Sequence, residues 1–183
     1  MKLNNKEIIL GVSGSISAYK APLLLREFIK KGANVNTIIT ESAKNFVTKL
    51  TLQNLSKNDV IDDMFDENAQ FEGSWHIKLA HKADLFIIAP ASATTLGKIA
   101  NGISDNALTA LAIALPDRVN KVLCPAMDST MWDNKAVQRN IKQLEKDGFN
   151  IVEPEEGELA SGIIGKGRLP EINNIVEYLE NNI

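Results

Sequence analysis

The residues able to do chemistry stand in short clusters, most of them directly behind an apolar run. Pro125–Trp132 (PAMDSTMW) follows Val122, Leu123 and Cys124 and sets one acid, Asp128, among two methionines and a tryptophan. A carboxylate in that place can hold a polar group of a ligand, or it can form an Asx turn that caps a helix opening at Ser129. Ionised and about 4 Å from a second carboxylate, it would cost roughly 4 kcal/mol at an effective dielectric near 20. A ligand amide therefore suits it better than a ligand acid, unless Asp128 is protonated and donates.

The turn Gly11-Val-Ser-Gly-Ser-Ile-Ser17 is built of small residues and opens a helix, so its backbone N–H groups and hydroxyls can converge on a phosphate. It is neither a Walker A loop nor a GxGxxG fingerprint, which favours a mononucleotide phosphate over a dinucleotide; the plainer alternative is a tight turn with a serine cap. Thr40-Glu41-Ser42 follows the next apolar run, and Glu41 is open to reading as an acid that holds a ribose. Pro90–Thr95 (PASATT) offers hydroxyls beside a flat ring with little bulk. Gly73-Ser-Trp-His76 places a histidine, which titrates near neutral pH, next to a tryptophan, either as a proton acceptor or as a capping or surface residue. His81, in mid-helix, reads as structural.

Something must bring these clusters together. Glu7–Val12, Asn34–Ile39, Asp84–Ala89, Lys121–Cys124 and Asn150–Val152 read as short buried strands, being compact, rich in Ile, Val and Leu, and bounded by polar residues or glycine. Ser17–Lys31 has apolar residues at 18, 21, 24, 25, 28 and 29, a serine at its start and Gly32 beyond its end, which predicts an amphipathic helix. Further helices are expected over Ile77–Lys82, over Leu96–Leu115 with a break near Gly102, over Met131–Asp147 and over Ile172–Leu179. This alternation predicts an α/β fold with a parallel sheet covered on both faces. In such sheets ligands lie beyond the carboxyl ends of the strands, where the clusters fall. Glu153–Pro170, with glycines at 157, 162, 165 and 167, lacks apolar periodicity and reads as a loop of the kind that forms lids.

Composition bounds the rest. At 183 residues, 44% apolar and 23% charged, a single domain is expected. A net charge of −3 without a basic run argues against nucleic acid as a partner. The apolar run in MKLNNKEIILGV is short for a signal segment and far short of a membrane span, so no membrane partner and a cytoplasmic protein are expected. One cysteine allows no internal disulfide, His76 and His81 do not share a helical face, and no metal site is expected.

Taken together and in order, GSISAYKA (14–21), His76 in SWHIKLAHKADL, PASATTLGKIANGISDN (90–106), PAMDSTMW (125–132) and LASGIIGKGRLPE (159–171) resemble the FMN-dependent cysteine decarboxylases along nearly the whole chain. The likeness is strongest to the branch that acts on phosphopantothenoylcysteine in coenzyme A synthesis, and weaker to the lantibiotic-peptide decarboxylases. It implies a flavodoxin-like or Rossmann-like three-layer sandwich, with residues 1–183 as one flavoprotein domain and a substrate flap at about 155–170. It also implies a homo-oligomer, a trimer or a dodecamer assembled from trimers, with FMN held at subunit contacts. By motif, Gly14, Ser15 and Ile16 would take the phosphate end of FMN, and Thr40, Glu41, Ser42, Ser92, Ala93, Thr94, Thr95 and Ala126 would line the rest. His76 and Ser161 would be catalytic, and Asp128, Met131, Ala160 and Gly162 would meet the substrate. The family pattern has Asn where this chain has Thr94 and Asp128, and Cys where it has Ser161.

The implied reaction is decarboxylation of phosphopantothenoylcysteine to phosphopantetheine. Direct loss of carbon dioxide from an acylated cysteine would leave a carbanion that nothing delocalises. Oxidised flavin relieves this by taking a hydride as the thiol becomes a thioaldehyde, whose C=S accepts the electron pair as an enethiolate. His76 is the candidate base for the proton lost in that oxidation. Return of the hydride needs a proton at the other carbon, and the Ser161 hydroxyl lies several pK units above a thiol's roughly 8.5. Two alternatives stay open: oxidative decarboxylation of a peptide's C-terminal cysteine, ending at the enethiol, and a non-catalytic flavin-binding regulatory subunit. A phosphopantothenate–cysteine ligase, fused or separate, is the expected partner.

Overall fold

The computed structural model describes residues 2–65 and 74–182. Five runs of Ile, Val and Leu become parallel strands: β1 (Glu7–Val12), β2 (Asn34–Ile39), β4 (Leu85–Ala91), β5 (Asn120–Pro125) and β6 (Phe149–Ile151). A two-residue strand, β3 (Val60–Ile61), adds to the edge, and the sheet order is β3-β2-β1-β4-β5-β6. Without that edge strand the order is 2-1-3-4-5, the flavodoxin order, and the direction of winding reverses between β1 and β4.

The strands read as continuous apolar runs because both faces are buried. Ile8, Leu10 and Val12 point into one core with Leu24, Leu25, Phe28, Leu52, Ile175 and Leu179, from helices α1 (Ala21–Lys30), α2 (Lys49–Ser56) and α8 (Ile172–Asn182). Ile9, Ile38, Phe86, Ile88 and Leu123 point into the other core. That second layer is α3 (Trp75–Lys82), α4 (Ala93–Ala100), α5 (Ala107–Ile113) and α7 (Lys135–Lys146), with the one-turn α6 (Ser129–Trp132) between β5 and α7. The result is the parallel sheet covered on both faces expected from the alternation, in the three-layer flavodoxin-like form that the resemblance implies. No helix among the described residues is long and apolar enough to cross a membrane.

Three local expectations need correction, and one is met. Ser17–Lys31 is not one helix: a 3-10 turn covers Ile16–Lys20, and α1 begins at Ala21 because Pro22 has no N–H to continue the ladder. Met131–Asp147 divides into α6 and α7, since Asn134 accepts from the Ala136 amide at 2.9 Å and starts a new helix. The break near Gly102 is present, with that residue at φ 68°. The segment 153–170 is not structureless: β7 (Glu155–Glu158) and β8 (Ile164–Arg168) pair antiparallel in a hairpin. Finally β3, α2 and a 3-10 turn over Glu41–Asn45 add elements that the apolar pattern alone did not announce.

Candidate active site

The carboxyl ends of β1 and β4 lie side by side at the winding reversal, and one serine ties their loops together. Ser13, fully buried, donates from its hydroxyl to the Pro90 carbonyl at 2.8 Å and accepts from the Ser92 amide at 2.7 Å. Beside it, a Cβ on Gly14 would fall well inside 3.0 Å of the Ser42 side chain, so only glycine lets the β1 and β2 loops meet. Ser15 caps the turn that follows by accepting from the Ser17 amide at 3.4 Å, and Ile16 is exposed. Thr40 donates its amide to the Val12 carbonyl of β1 and caps the next turn by accepting from the Ala43 amide at 3.3 Å.

The third loop enters α4 through Ser92, whose hydroxyl accepts from the Thr95 amide at 3.3 Å. Ala93 is half-buried and Thr94 exposed, whereas Thr95 is 4% exposed, its hydroxyl turned back onto that of Ser92 at 3.2 Å. Ala126 is buried and donates its amide to Ala91, joining the fourth loop to the third. Thus Gly14, Ser15, Ile16, Thr40, Ser42, Ser92, Ala93, Thr94, Thr95 and Ala126 share one rim. Glu41 is the exception: its side chain is 85% exposed and pairs with Lys44 at 2.7 Å. Lys44 also meets Asp62 at 2.8 Å, and the Asp62 and Glu41 carboxylates hold its ammonium well above the usual lysine range.

The rim fits a flavin phosphate. The N–H groups of Gly14, Ser15, Ile16, Glu41 and Ser42 meet no acceptor among the described residues outside regular elements, and the Gly14–Ser42 contact sets the two turns side by side. Adjoining N–H groups without partners, with hydroxyls at hand, make a concavity for an anion.

Behind β5, Asp128 does two things at once. Its Oδ1 accepts from the Thr130 amide at 3.0 Å, capping α6, and its Oδ2 accepts from the Ser161 hydroxyl at 2.7 Å. The Ser161 hydroxyl first, then the Thr130 amide, hold the Asp128 carboxyl below the usual carboxylate range, which counts against a protonated Asp128. Ala160, Ser161 and Gly162 form the exposed hairpin tip between β7 and β8, with Gly162 at φ 81°; Met131 is exposed on α6.

His76 stands elsewhere on the chain. Lys82, at the far end of α3, pairs with Glu7 at the start of β1, so α3 opens on the carboxyl side of the sheet. There Trp75 is buried and donates from its indole to the Met64 carbonyl at 3.0 Å. The His76 ring meets Trp75 edge-on, centroids 5.6 Å apart. No hydrogen bond among the described residues joins His76 to Asp128, Ser161 or the Gly14 turn. Gly73, which opens that motif, lies outside the described residues.

Ser13, Gly165 and Gly167 were missed as site-building residues. Ser13 stood inside the small-residue turn, where a third hydroxyl was visible but not its direction. Gly165 and Gly167 stand two apart on a strand and so share a face, the pattern of a close backbone approach.

The flavoprotein family model matches residues 1–183. The probable phosphopantothenoylcysteine decarboxylase of Streptococcus mutans is 43% identical over 178 residues, 97% of this chain and 99% of that protein. The coenzyme A biosynthesis bifunctional protein of Bacillus subtilis is 48% identical over 178 residues, and there the match spans only 43% of the relative's length. Among solved structures, a cysteine-to-serine mutant of a PPC decarboxylase complexed with pantothenoylaminoethenethiol superposes with TM-score 0.87 at 32% identity, over 97% of this chain and 98% of that one. The FMN-binding protein AtHal3 follows with TM-score 0.83 at 32% identity, over 97% and 96%. The chain belongs to the flavoprotein family, in the group that holds the phosphopantothenoylcysteine decarboxylases.

Proposed function

We propose that residues 1–183 act as one FMN-dependent decarboxylase domain converting phosphopantothenoylcysteine to phosphopantetheine in the cytoplasm, with the 155–170 hairpin as the substrate flap. The observation that carries this reading is the Ser161–Asp128 contact, which brings a hairpin tip over the β5 loop at the edge of a phosphate-binding rim. FMN would be held by the amides of Gly14, Ser15 and Ile16 and by Ser42, Ser92 and Thr94, and when bound it supplies a two-electron sink and source.

The chain's own groups do the remaining work. Asp128, ionised, repels the substrate carboxylate and accepts from the substrate amide, which turns the carboxylate away from it. The flap covers the cysteine end and excludes water, Ala160 and Gly162 being small enough to lie against it with Met131 beneath. His76 takes the proton lost when the cysteine is oxidised. Within one chain it is not joined to Asp128, which supports a site completed at a contact between subunits of a trimer or dodecamer. A phosphopantothenate–cysteine ligase, fused or separate, would supply the substrate, in keeping with the bifunctional relatives.

Ser161 decides how the reaction ends. Its hydroxyl is already given to Asp128, so the final proton comes from water relayed through this pair rather than from a side-chain acid. The same serine favours a second reading, arrest at the enethiol, the kind of compound held by the serine mutant described above. Mass spectrometry of the products from phosphopantothenoylcysteine separates them. Loss of carbon dioxide alone supports the full decarboxylase, a further loss of two hydrogens supports arrest, and unchanged substrate with flavin-loaded protein refutes both.

A further inference from the structure

The flap is held in two unlike ways at its two ends. Its returning strand, β8, lies directly on the loop that carries Asp128: the Met127 amide donates to the Gly167 carbonyl at 3.0 Å. A Cβ on Gly167 would run into the Met127 carbonyl oxygen, and one on Gly165 would come within 2.8 Å of the Ser129 Cβ. Gly167 is buried, and the base is fastened further by ion pairs of Lys166 with Glu153 and of Arg168 with Glu171, and by the Asn174 amide on Glu155 at 2.7 Å. The tip has little of this. Leu159 and Gly162 close a tight turn, Ile163 and Ile164 are exposed, and Ser161 on Asp128 is the tip's one side-chain hydrogen bond among the described residues.

We propose that Gly165 and Gly167 are positioning residues that dock β8 permanently onto Met127–Ser129, so that only the tip, residues 159–163, opens, latched by Ser161 on Asp128. A strand seated without side chains fixes the height of the tip above the β5 loop, and this is what sets the Ser161 hydroxyl against Asp128. A lid hinged at its outer ends would carry β8 away with the tip; this one cannot.

Hydrogen exchange on the full-length protein tests this without any turnover. The Met127 amide exchanges slowly and the 159–163 segment fast. Ser161→Ala speeds 159–163 by about tenfold, as expected for one lost hydrogen bond to a charged acceptor, and leaves Met127 unchanged. Gly165→Ala speeds Met127 by about tenfold to a hundredfold through overpacking against Ser129, and Gly165→Ala with Ser129→Gly restores it, since the opposing Cβ is then gone. Gly167→Ala meets backbone and is not restored by Ser129→Gly. Equal exchange rates for Met127 and 159–163, or no recovery in the Gly165 double variant, overturn the proposal. The consequence for kcat/KM, a fall in Gly165→Ala and recovery in the double variant, rests on the decarboxylase reading. The expected exchange pattern without turnover would count against that reading and still establish the docking.

Discussion

Asp128 answers to two donors, and its two oxygens keep them apart. A helix cap and a hold on a ligand's polar group are the two readings the sequence offers for this carboxylate; Oδ1 makes the cap, on the Thr130 amide, and Oδ2 faces the Ser161 hydroxyl of the hairpin tip. Because these donors hold the folded carboxyl below its usual value, they stabilise the ionised form. Their contribution is fully present above the unfolded value of roughly 3.9 and is lost as pH falls through the lower folded value. We expect the protection of 159–163, relative to the intrinsic exchange rate at each pH, to be flat from neutral pH down to about 4 and to fall below it, while Asp128→Asn shows no such acid step; an identical step in both would place the titration elsewhere. Thr37 is a residue-scale effect of the opposite kind. Its hydroxyl is buried in β2 with no hydrogen-bond partner among the described residues. Thr37→Val removes that cost, and urea unfolding should show a gain of about 1 kcal/mol. Most of the candidate site residues are legible because they stand just behind a strand; His76, at the start of α3, and Ser161, at a hairpin tip, do not. The contact between Asp128 and Ser161 is not legible, because it spans 33 positions and no spacing rule links a strand end to a hairpin tip.

Among the elements, legibility followed burial. β1, β4 and β5 are covered on both faces and so read as unbroken apolar runs, within a residue or two of their observed ends. β3 pairs over two residues only, too short for any period to show, and β7 alternates exposure without apolar residues to mark it. The helix boundaries failed where a single residue outweighed the pattern, as Pro22 did at α1 and Asn134 at α7. Packing between elements shows the same dependence on single atoms. Gly11 lies in β1 where a Cβ would come within 2.5 Å of Leu108 in α5. That helix is buried almost throughout and begins with a capping box between Asn106 and Thr109, so it has little freedom to retreat. Gly11→Ala should therefore destabilise by about 1–3 kcal/mol in a denaturant titration, with a loosened rim as a side effect; a neutral result would mean that the Leu108 side chain turns aside easily.

For the whole molecule the unexplained feature is apolar surface beside the Gly14 turn. Ile16, Tyr19 and Leu23, each more than half exposed, follow one another at helical spacing along the 3-10 turn and α1. Phe46, just before α2, and Leu50, in its first turn, are also exposed, and α1 packs against α2. Exposed apolar side chains grouped in this way, in a chain with an otherwise well-buried core, are what the oligomer proposed above would need at a contact between subunits. A second copy of the chain is the occupant that the oligomer reading requires, and burying this patch would seal one flank of the rim. Sedimentation velocity should then give a species of three or more chains of 20.0 kDa each. Tyr19→Asp combined with Leu23→Asp places two carboxylates in the contact, and the expected outcome is a 20.0 kDa species that loses flavin on gel filtration while keeping its circular dichroism spectrum. If the unaltered protein sediments as a single chain and still retains flavin, the rim is complete without a neighbour, and the role proposed for His76 then requires movement within its own chain.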